Sequence, residues 1–386
     1  MTFYGYQRPD GRVGVRNKVL ILPASVCASD TARIIAQQVE GAVTFNNQLG
    51  CSQVASDQQY VMDVMAGYAA NPNIYGTVVV SLGCENCQMD LVVKAIQERT
   101  NKPIRQVIIQ EVGGTLKAVD IGVRYAKELT TQASLLQKMP FPMSELIIGT
   151  ECGGSDPTSG LAANVLIGEM SDRIVAAGGT SILSETTEFI GAEHILARRA
   201  ANKEVHDRIF EIVHRYERAM HLVGEKIREG NPAPGNKAGG ITTLEEKSLG
   251  CIHKGGNSPI MAVYDYAKQI KPKSGLVIMD TPGNDPASVS AMVAGGAQVV
   301  VFSTGRGTPT GNPIAPVIKI TGNRMTFAKM EDNIDVDASS LIYGGSLQQL
   351  GDDLMQLVSE VASGRQTKAE ALGFTEMSIA RVCNFV

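Results

Sequence analysis

The sequence predicts an α/β chain: parallel-sheet, Rossmann-like domains carrying a loop-rich catalytic insert. Three observations predict it. Short runs of Val, Ile and Leu alternate with stretches of helical period, which implies parallel strands joined by crossover helices. These runs end repeatedly in polar turns bearing Cys or Gly, at Cys27, Cys84, Cys152, Asp280 and Ser303, and open parallel sheets bind ligands at the carboxyl ends of their strands. A chain of 386 residues is long for one core. The break at Gln137-Lys138-Met139-Pro140-Phe141-Pro142 divides it into an N-terminal α/β domain, 1–140, and a C-terminal α/β catalytic domain, 141–386, with the insert at 230–258.

Taken in order, residues 1–17 are turn-rich and carry Arg8, Arg12 and Arg16. They form an arm that is either solvated or set to meet a carboxylate or a partner chain. Residues 19–22 are a short strand, and 29–39 a helix capped by Ser29 or Asp30. A strand at 42–45 leads into Gly50-Cys51. A helix over 55–69 is broken by Asn71-Pro72-Asn73. The strand at 77–80 exits through Leu82-Gly83-Cys84-Glu85-Asn86-Cys87. A helix at 88–99, a strand at 106–110 and a helix at 115–130 complete this half.

The second half opens on Leu146-Ile147-Ile148, a buried strand that stops in Glu151-Cys152-Gly153-Gly154-Ser155-Asp156. Packing requires none of those residues at a strand tip, so they mark a site. Residues 159–177 are helical and stop at Gly178-Gly179. The strand at 180–184 ends at Glu185, with Glu188, Glu193 and His194 close behind. A polar helix over 203–229 turns His206, His214 and His221 to solvent. The insert at 230–258 mixes Lys237, Lys247, Cys251, His253 and Lys254 in a long loop, which argues for function. A helix near 259–270 precedes the strand at 275–279, which ends in Asp280-Thr281-Pro282-Gly283-Asn284-Asp285. The strand at 298–302 ends in Ser303-Thr304-Gly305-Arg306-Gly307-Thr308, a glycine-rich basic turn suited to an anion. Residues 310–346 are rich in Gly, Pro and Asp, residues 347–363 form an amphipathic helix, and a short helix follows Gly364.

Composition excludes several classes. A net charge of −4 without a basic, aromatic-interleaved stripe points to no nucleic acid. No run approaches the ~18 apolar residues of a membrane span, and the polar N-terminus lacks a signal-peptide core, so a cytoplasmic protein is expected. Seven cysteines, an odd number without an export signal, are expected to be free thiols. There is no G-x-G-x-x-G after a first strand, no P-loop and no G-x-S-x-G elbow. Cys84-x-x-Cys87 stands alone, which rules out zinc-ribbon spacing. Soft thiols beside carboxylates suit iron or another transition metal, and loop cations suit a carboxylate substrate. A metal beside an acid points to α-proton abstraction and loss of a β-substituent. The base is His194, or Lys247 with its pKa depressed by neighbouring cations.

Several segments carry a family resemblance. They include Gly5-Tyr6 with Arg8 to Asn17, Asn71-Pro72-Asn73, Leu82-Gly83-Cys84-Glu85, Cys152-Gly153-Gly154-Ser155-Asp156, Ser184-Glu185-Thr186-Thr187-Glu188 and Gly191-Ala192-Glu193-His194. Gly235-Asn236-Lys237-Ala238-Gly239-Gly240, Glu246-Lys247-Ser248-Leu249-Gly250 and Asp280-Thr281-Pro282-Gly283 belong with them. The chain resembles the large catalytic part of the altronate dehydratase / galactarate dehydratase family, nearly end to end. The resemblance implies an iron-dependent lyase that dehydrates an aldonate or aldarate to a 2-keto-3-deoxy acid. It implies Fe2+, as a lone ion or an Fe–S cluster, and a separate small subunit of the SAF type, in a heteromer or a homo-oligomer. Sulfolactate sulfo-lyase is similar and expels sulfite, which is one alternative; a non-catalytic subunit with a structural metal is another. Two departures stand out: Asn47, where the family often has His, and Ala163-Asn164-Val165, where it often has Ala-Asn-Pro. The expected metal ligands are Cys51, Cys84, Cys152 and Cys251, with Cys27 next and Cys87 and Cys383 structural. The expected catalytic groups are His194, Lys247, Glu185 and Glu188. The expected substrate contacts are Ser155, Asp156, Lys237, Lys254, Asp280 and Arg306.

Overall fold

The computed structural model describes residues 1–383; the last three residues of the C-terminal region lie outside it. The chain opens on β1 (Thr2–Gln7) and β2 (Val13–Gly14). β3 (Lys18–Pro23), β4 (Ala42–Val43), β5 (Ile74–Ser81) and β6 (Ile104–Ile108) then form a parallel sheet of order β4-β3-β5-β6. β7 (Met139–Pro142) returns to pair antiparallel with β1, whose other end pairs with β2. β8 (Ile147–Cys152), β9 (Thr180–Leu183), β10 (Ile260–Tyr264), β11 (Gly275–Met279), β12 (Val299–Ser303), β13 (Val317–Thr321) and β14 (Val336–Asp337) make a seven-stranded parallel sheet. Its order is β10-β11-β9-β8-β12-β13-β14. The α/β fold with parallel sheets is therefore as the alternation of runs predicted.

In the large sheet β8 starts the path outward on one side through β9 and lies against β12 on the other. That reversal is a topological switch point, where the crossover connections part and leave a crevice at the strand tips. β8, β9, β11 and β12 are mostly apolar and almost wholly buried, as parallel strands covered on both faces must be. Burial of each Ile, Val or Leu in them contributes roughly 1.5–3 kcal/mol.

One core cluster joins the two halves. Val61, Val64, Met65 and Tyr68 of the helix Ala55–Ala70 share it with Val289, Met292 and Val293 of the helix Asp285–Ala294. The Asn71-Pro72-Asn73 break is the polar part of the same joint. Asn71 Nδ2 donates to the carbonyls of Val293 (2.8 Å) and Ala297 (2.9 Å). Asn73 Nδ2 donates to those of Gln298 (2.9 Å) and Ile314 (3.0 Å). A motif that reads as a helix breaker is a bracket between two sheets.

Several local readings are decided or corrected. The N-terminal arm is a strand pair, and of its two readings the one in which the arginines meet a carboxylate holds. Arg8 donates to the carbonyls of Pro72 and Arg16 and to Asn17, and Arg16 meets the Glu370 carboxylate at 2.7 Å. The first helix begins at Val26 with Ser25 at its N-cap position, earlier than expected. The predicted helix near 259–270 is β10, because Ile260, Val263 and Tyr264 suit a sheet edge beside β11. The polar helix ends at Leu222. The insert is largely helical, with Pro234–Ala238, Leu244–Ile252 and the 3₁₀ turn His253–Gly255. Thr243 accepts from the Glu246 N–H there, so the Thr-x-x-Glu spacing was a legible helix start. β13 and β14 lie within the stretch rich in Gly, Pro and Asp.

Candidate functional site

The site forms where β8, β9 and β11 end and the helix Leu244–Ile252 folds across them. β8 runs through Glu151 and Cys152 before it turns. Alternation along a strand sends these neighbours to opposite faces. Glu151 is fully buried, and its Oε2 accepts from Ser288 (2.6 Å) and Ser184 (3.1 Å). Its other oxygen has no partner. Burial, reinforced by the nearby Glu185 charge, pushes the Glu151 carboxyl well above the usual range.

Glu185 follows β9 in a left-handed conformation, φ 72° and ψ 63°. A non-glycine residue there costs on the order of 1–3 kcal/mol and persists only when its surroundings fix it. They do: its N–H donates to Thr281 Oγ1 at 2.8 Å, and its carboxylate accepts from the Cys152 N–H at 2.9 Å and from Lys254 Nζ. Lys254 is fully buried and also donates to Cys152 Sγ at 2.9 Å. Burial alone would lower its pKa, but the surrounding Cys152, Cys251, Glu185 and Glu151 raise it well above the ordinary value. The ammonium is thus locked in its charged form.

Cys251, on the helix that crosses the tips, brings its Sγ to 3.9 Å from that of Cys152. The contact with Cys251 and burial push the Cys152 thiol well up. Ligand atoms of Cys152, Glu185 and Cys251 all lie within 4.8 Å of one another, and so do those of Glu151, Glu185 and Asp285. These two groups share Glu185, so the centre is one continuous cluster.

A cavity of ≈ 280 Å³ opens beside it, lined by Cys152, Ser155, Glu188, Lys247, Asp285 and Arg306 among others. Lys247 Nζ pairs with Glu188 Oε1 at 2.6 Å and donates to Asn231 Oδ1 at 3.0 Å. Burial raises the Glu188 pKa, only partly offset by Lys247, and the second Glu188 oxygen has no partner. Burial would lower the Lys247 pKa, but pairing with Glu188 outweighs it and the net shift is upward. A lysine base depressed by neighbouring cations is therefore corrected: its neighbours are acids. Asp285, at the start of its helix, is pushed up to about 7 by burial and by Glu185.

The structure gathers part of the expected set. Cys152, Cys251, Glu185, Lys254, Glu188 and Lys247 meet, and Ser155 and Arg306 share the cavity wall. Cys51 and Cys84 stay on the four-stranded sheet: Cys84 is exposed beside Gln110, and neither joins a cluster with Cys152 among the described residues. His194 and Lys237 are exposed, and among the described residues neither side chain makes a hydrogen bond or ion pair with these groups. Asp156 lines the neighbouring ≈ 260 Å³ cavity and is engaged by Thr158, Ser159 and Asn323. Asp280 is buried against Thr186 and Arg215. Lys254, expected to meet substrate, is sealed beneath the thiols. Sequence reasoning gave neither Glu151 nor Asp285 a role, although both stand in the strand-tip segments it singled out.

Chemically, two soft sulfurs and a carboxylate fit a transition-metal ion. Two thiolates about 2.3 Å from one tetrahedral ion would stand about 3.8 Å apart, close to the separation found. Two thiolates and Glu185 would balance a dication plus the Lys254 ammonium.

Comparison with known proteins places this architecture. Residues 143–384 match the model for D-galactarate/altronate dehydratase, C-terminal, and residues 5–134 that for D-galactarate dehydratase/altronate hydrolase, second domain. Altronate dehydratase of Bacillus subtilis (strain 168) is 36% identical over 98% of this chain and 77% of its own length. The (2R)-sulfolactate sulfo-lyase subunit beta of Chromohalobacter salexigens is 36% identical over 99% of this chain and 97% of its own length. Galactarate dehydratase (L-threo-forming) of Escherichia coli (strain K12) is 32% identical over 95% and 73%. With both halves of the chain and the centre between its strand tips matched in this way, the protein is a lyase and belongs to the D-galactarate/altronate dehydratase family.

Proposed function

We propose that this chain dehydrates a sugar acid to a 2-keto-3-deoxy acid in the cavity at the tips of β8, β9, β11 and β12. The observation that carries the reading is the row of a buried, half-partnered carboxylate, Glu188, a charged lysine, Lys247, and an acid tuned to about 7, Asp285, along one cavity wall. Glu188 takes the α-proton on its free oxygen. The Lys247 ammonium stabilises the enediolate that forms. As the carbon–carbon double bond forms, the β-hydroxyl leaves as water with a proton from Asp285. The resulting enol rearranges to the 2-keto acid.

Iron, as Fe2+, would be held by Cys152, Cys251 and Glu185, with Lys254 balancing the charge. When bound it supplies Lewis acidity toward a substrate oxygen. A lone ion suits three clustered donors better than an Fe–S cluster, which takes four thiolates. We further propose a small separate polypeptide as partner. The chain spans about three quarters of its dehydratase relatives and nearly all of a sulfo-lyase subunit beta.

That last match favours a second reading, expulsion of sulfite from a sulfonated hydroxy acid. Protein loaded anaerobically with Fe2+, alone and with any co-purifying small subunit, is mixed with aldonates, aldarates and sulfolactate. The dehydratase reading expects a 2-keto acid without sulfite, formed roughly 10²–10⁴-fold more slowly by Lys247→Met. Sulfite release, or no product from any sugar acid, overturns it.

A further inference from the structure

We infer that Glu151, Glu185 and Asp285 form a second cation site, built of oxygen donors and suited to a hard divalent ion, Mg2+ or Mn2+. One carboxyl oxygen of each lies within 4.8 Å of those of the other two. Oxygens about 2.1 Å from one octahedral ion stand roughly 3–4 Å apart, inside that limit. The neighbouring group that shares Glu185 brings two sulfurs and suits a softer ion. Glu151 supplies an independent sign. It is fully buried, and Ser288 and Ser184 both serve its Oε2. Its Oε1 is closed to solvent and has no partner among the described residues. A buried acceptor left in that state is costly, and within a cluster of carboxyls its natural partner is a cation.

The countercharges point the same way. Lys254 meets Glu185 and Cys152, and Lys247 meets Glu188. Among the described residues no lysine or arginine forms an ion pair with Glu151 or Asp285. Lys254 and one dication balance the two thiolates and Glu185. Ionised Glu151 and Asp285 add two negative charges, which one further dication neutralises.

Gly153 admits Asp285 to the group, because a Cβ there would lie 2.0 Å from Asp285 Oδ2. Asp285 also lines the ≈ 280 Å³ cavity, which gives an ion a way in and water for its remaining positions. An ion held there engages the carboxyl that the dehydratase reading uses to deliver a proton. Resting on that reading, the filled site inhibits turnover; the site itself stands without it.

The test titrates Mn2+ anaerobically into the full chain carrying one equivalent of Fe2+. Bound ions are counted from the loss of the free Mn2+ electron paramagnetic resonance signal. Thiolates favour iron over Mn2+, so the added ion reads the oxygen site. One Mn2+ per chain is expected. Glu151→Gln, Asp285→Asn and Gly153→Ala should each weaken it roughly tenfold or more, while Cys251→Ser leaves it bound. Mn2+ should also raise the melting temperature of wild type and not that of Glu151→Gln, which separates loss of the site from loss of the fold. No Mn2+ bound at millimolar concentration overturns the inference, as does binding lost in Cys251→Ser and kept in Glu151→Gln. With an aldonate as substrate, rates should fall as the site fills, at the half-point of the titration; constant rates overturn the inhibitory role. If wild type forms no 2-keto acid at all, the dehydratase reading has failed, and the titration alone decides the site.

Discussion

The two parallel sheets make similar strand tips from similar sequence, and among the described residues only the large one gathers them into a buried cluster of thiols and carboxylates. On the small sheet, β5 ends in Leu82-Gly83-Cys84-Glu85, a carboxylate and a thiol after glycine. Glu85 folds back on its own turn, accepting from Ser81 Oγ, Leu82 N–H and Gly83 N–H. Those bonds overcome burial and hold its pKa down, and Cys84 is left exposed. On the large sheet, β8 ends in Glu151-Cys152, but the helix Leu244–Ile252 and the turn after it cover the tips with Cys251, Lys247 and Lys254. The difference is what lies overhead. A strand-tip thiol becomes a candidate ligand only when a second element delivers another donor and a countercharge to it.

Removing the countercharge should break the comparison most sharply. Lys254→Met leaves Glu185 buried without its ion pair, and a loss of about 3–5 kcal/mol is expected, read from the midpoint of chemical unfolding. An unchanged midpoint would mean that Glu185 finds another partner. The next effect is on metal. Cys152→Ser and Cys251→Ser should each lower iron retained after anaerobic loading at least tenfold, while Cys51→Ser and Cys84→Ser leave it unchanged. Iron that follows Cys84 would relocate the centre to the small sheet.

On turnover, Lys247→Met is expected to reduce kcat by roughly 10²–10⁴ while iron content holds. Parallel loss of both would make that lysine a structural residue. The mildest test is alkylation with iodoacetamide at pH 8. Burial, with Glu85 and Cys51 nearby, pushes the Cys87 thiol up to about 12. The thiolate exists in quantity only above that value, so Cys87 stays unlabelled at pH 8; Cys152 and Cys251 stay unlabelled because they are buried. Cys27 and Cys84, both exposed, should label; mass spectrometry of peptides resolves them.

Some of this was open to reading from residues alone. β11 was bounded correctly because Gly275 and Asp280 flank an unbroken apolar run. The three histidines of the helix Lys203–Leu222 do face solvent, as its charge pattern implied. Cys152, Glu185 and Glu188 were singled out because a charge or thiol at a strand tip has no packing purpose, and the structure brings them to one cluster and its adjoining cavity. Glu151 was harder: one position along a strand decides its face, and only the neighbouring Ser184 and Ser288 make burial tolerable.

By itself the sequence determined the alternation of strand and helix, the parallel pairing and the kinds of group at each tip, because hydrophobic period and turn chemistry act over a few residues. Tertiary structure alone decided which tips meet. Cys152 and Cys251 lie 99 positions apart, Glu185 and Lys254 69 apart, and their encounter depends on strand order and on a helix crossing the sheet. It also settled the sign of the Lys247 shift, since the carboxylate that holds that proton comes from another element of the fold.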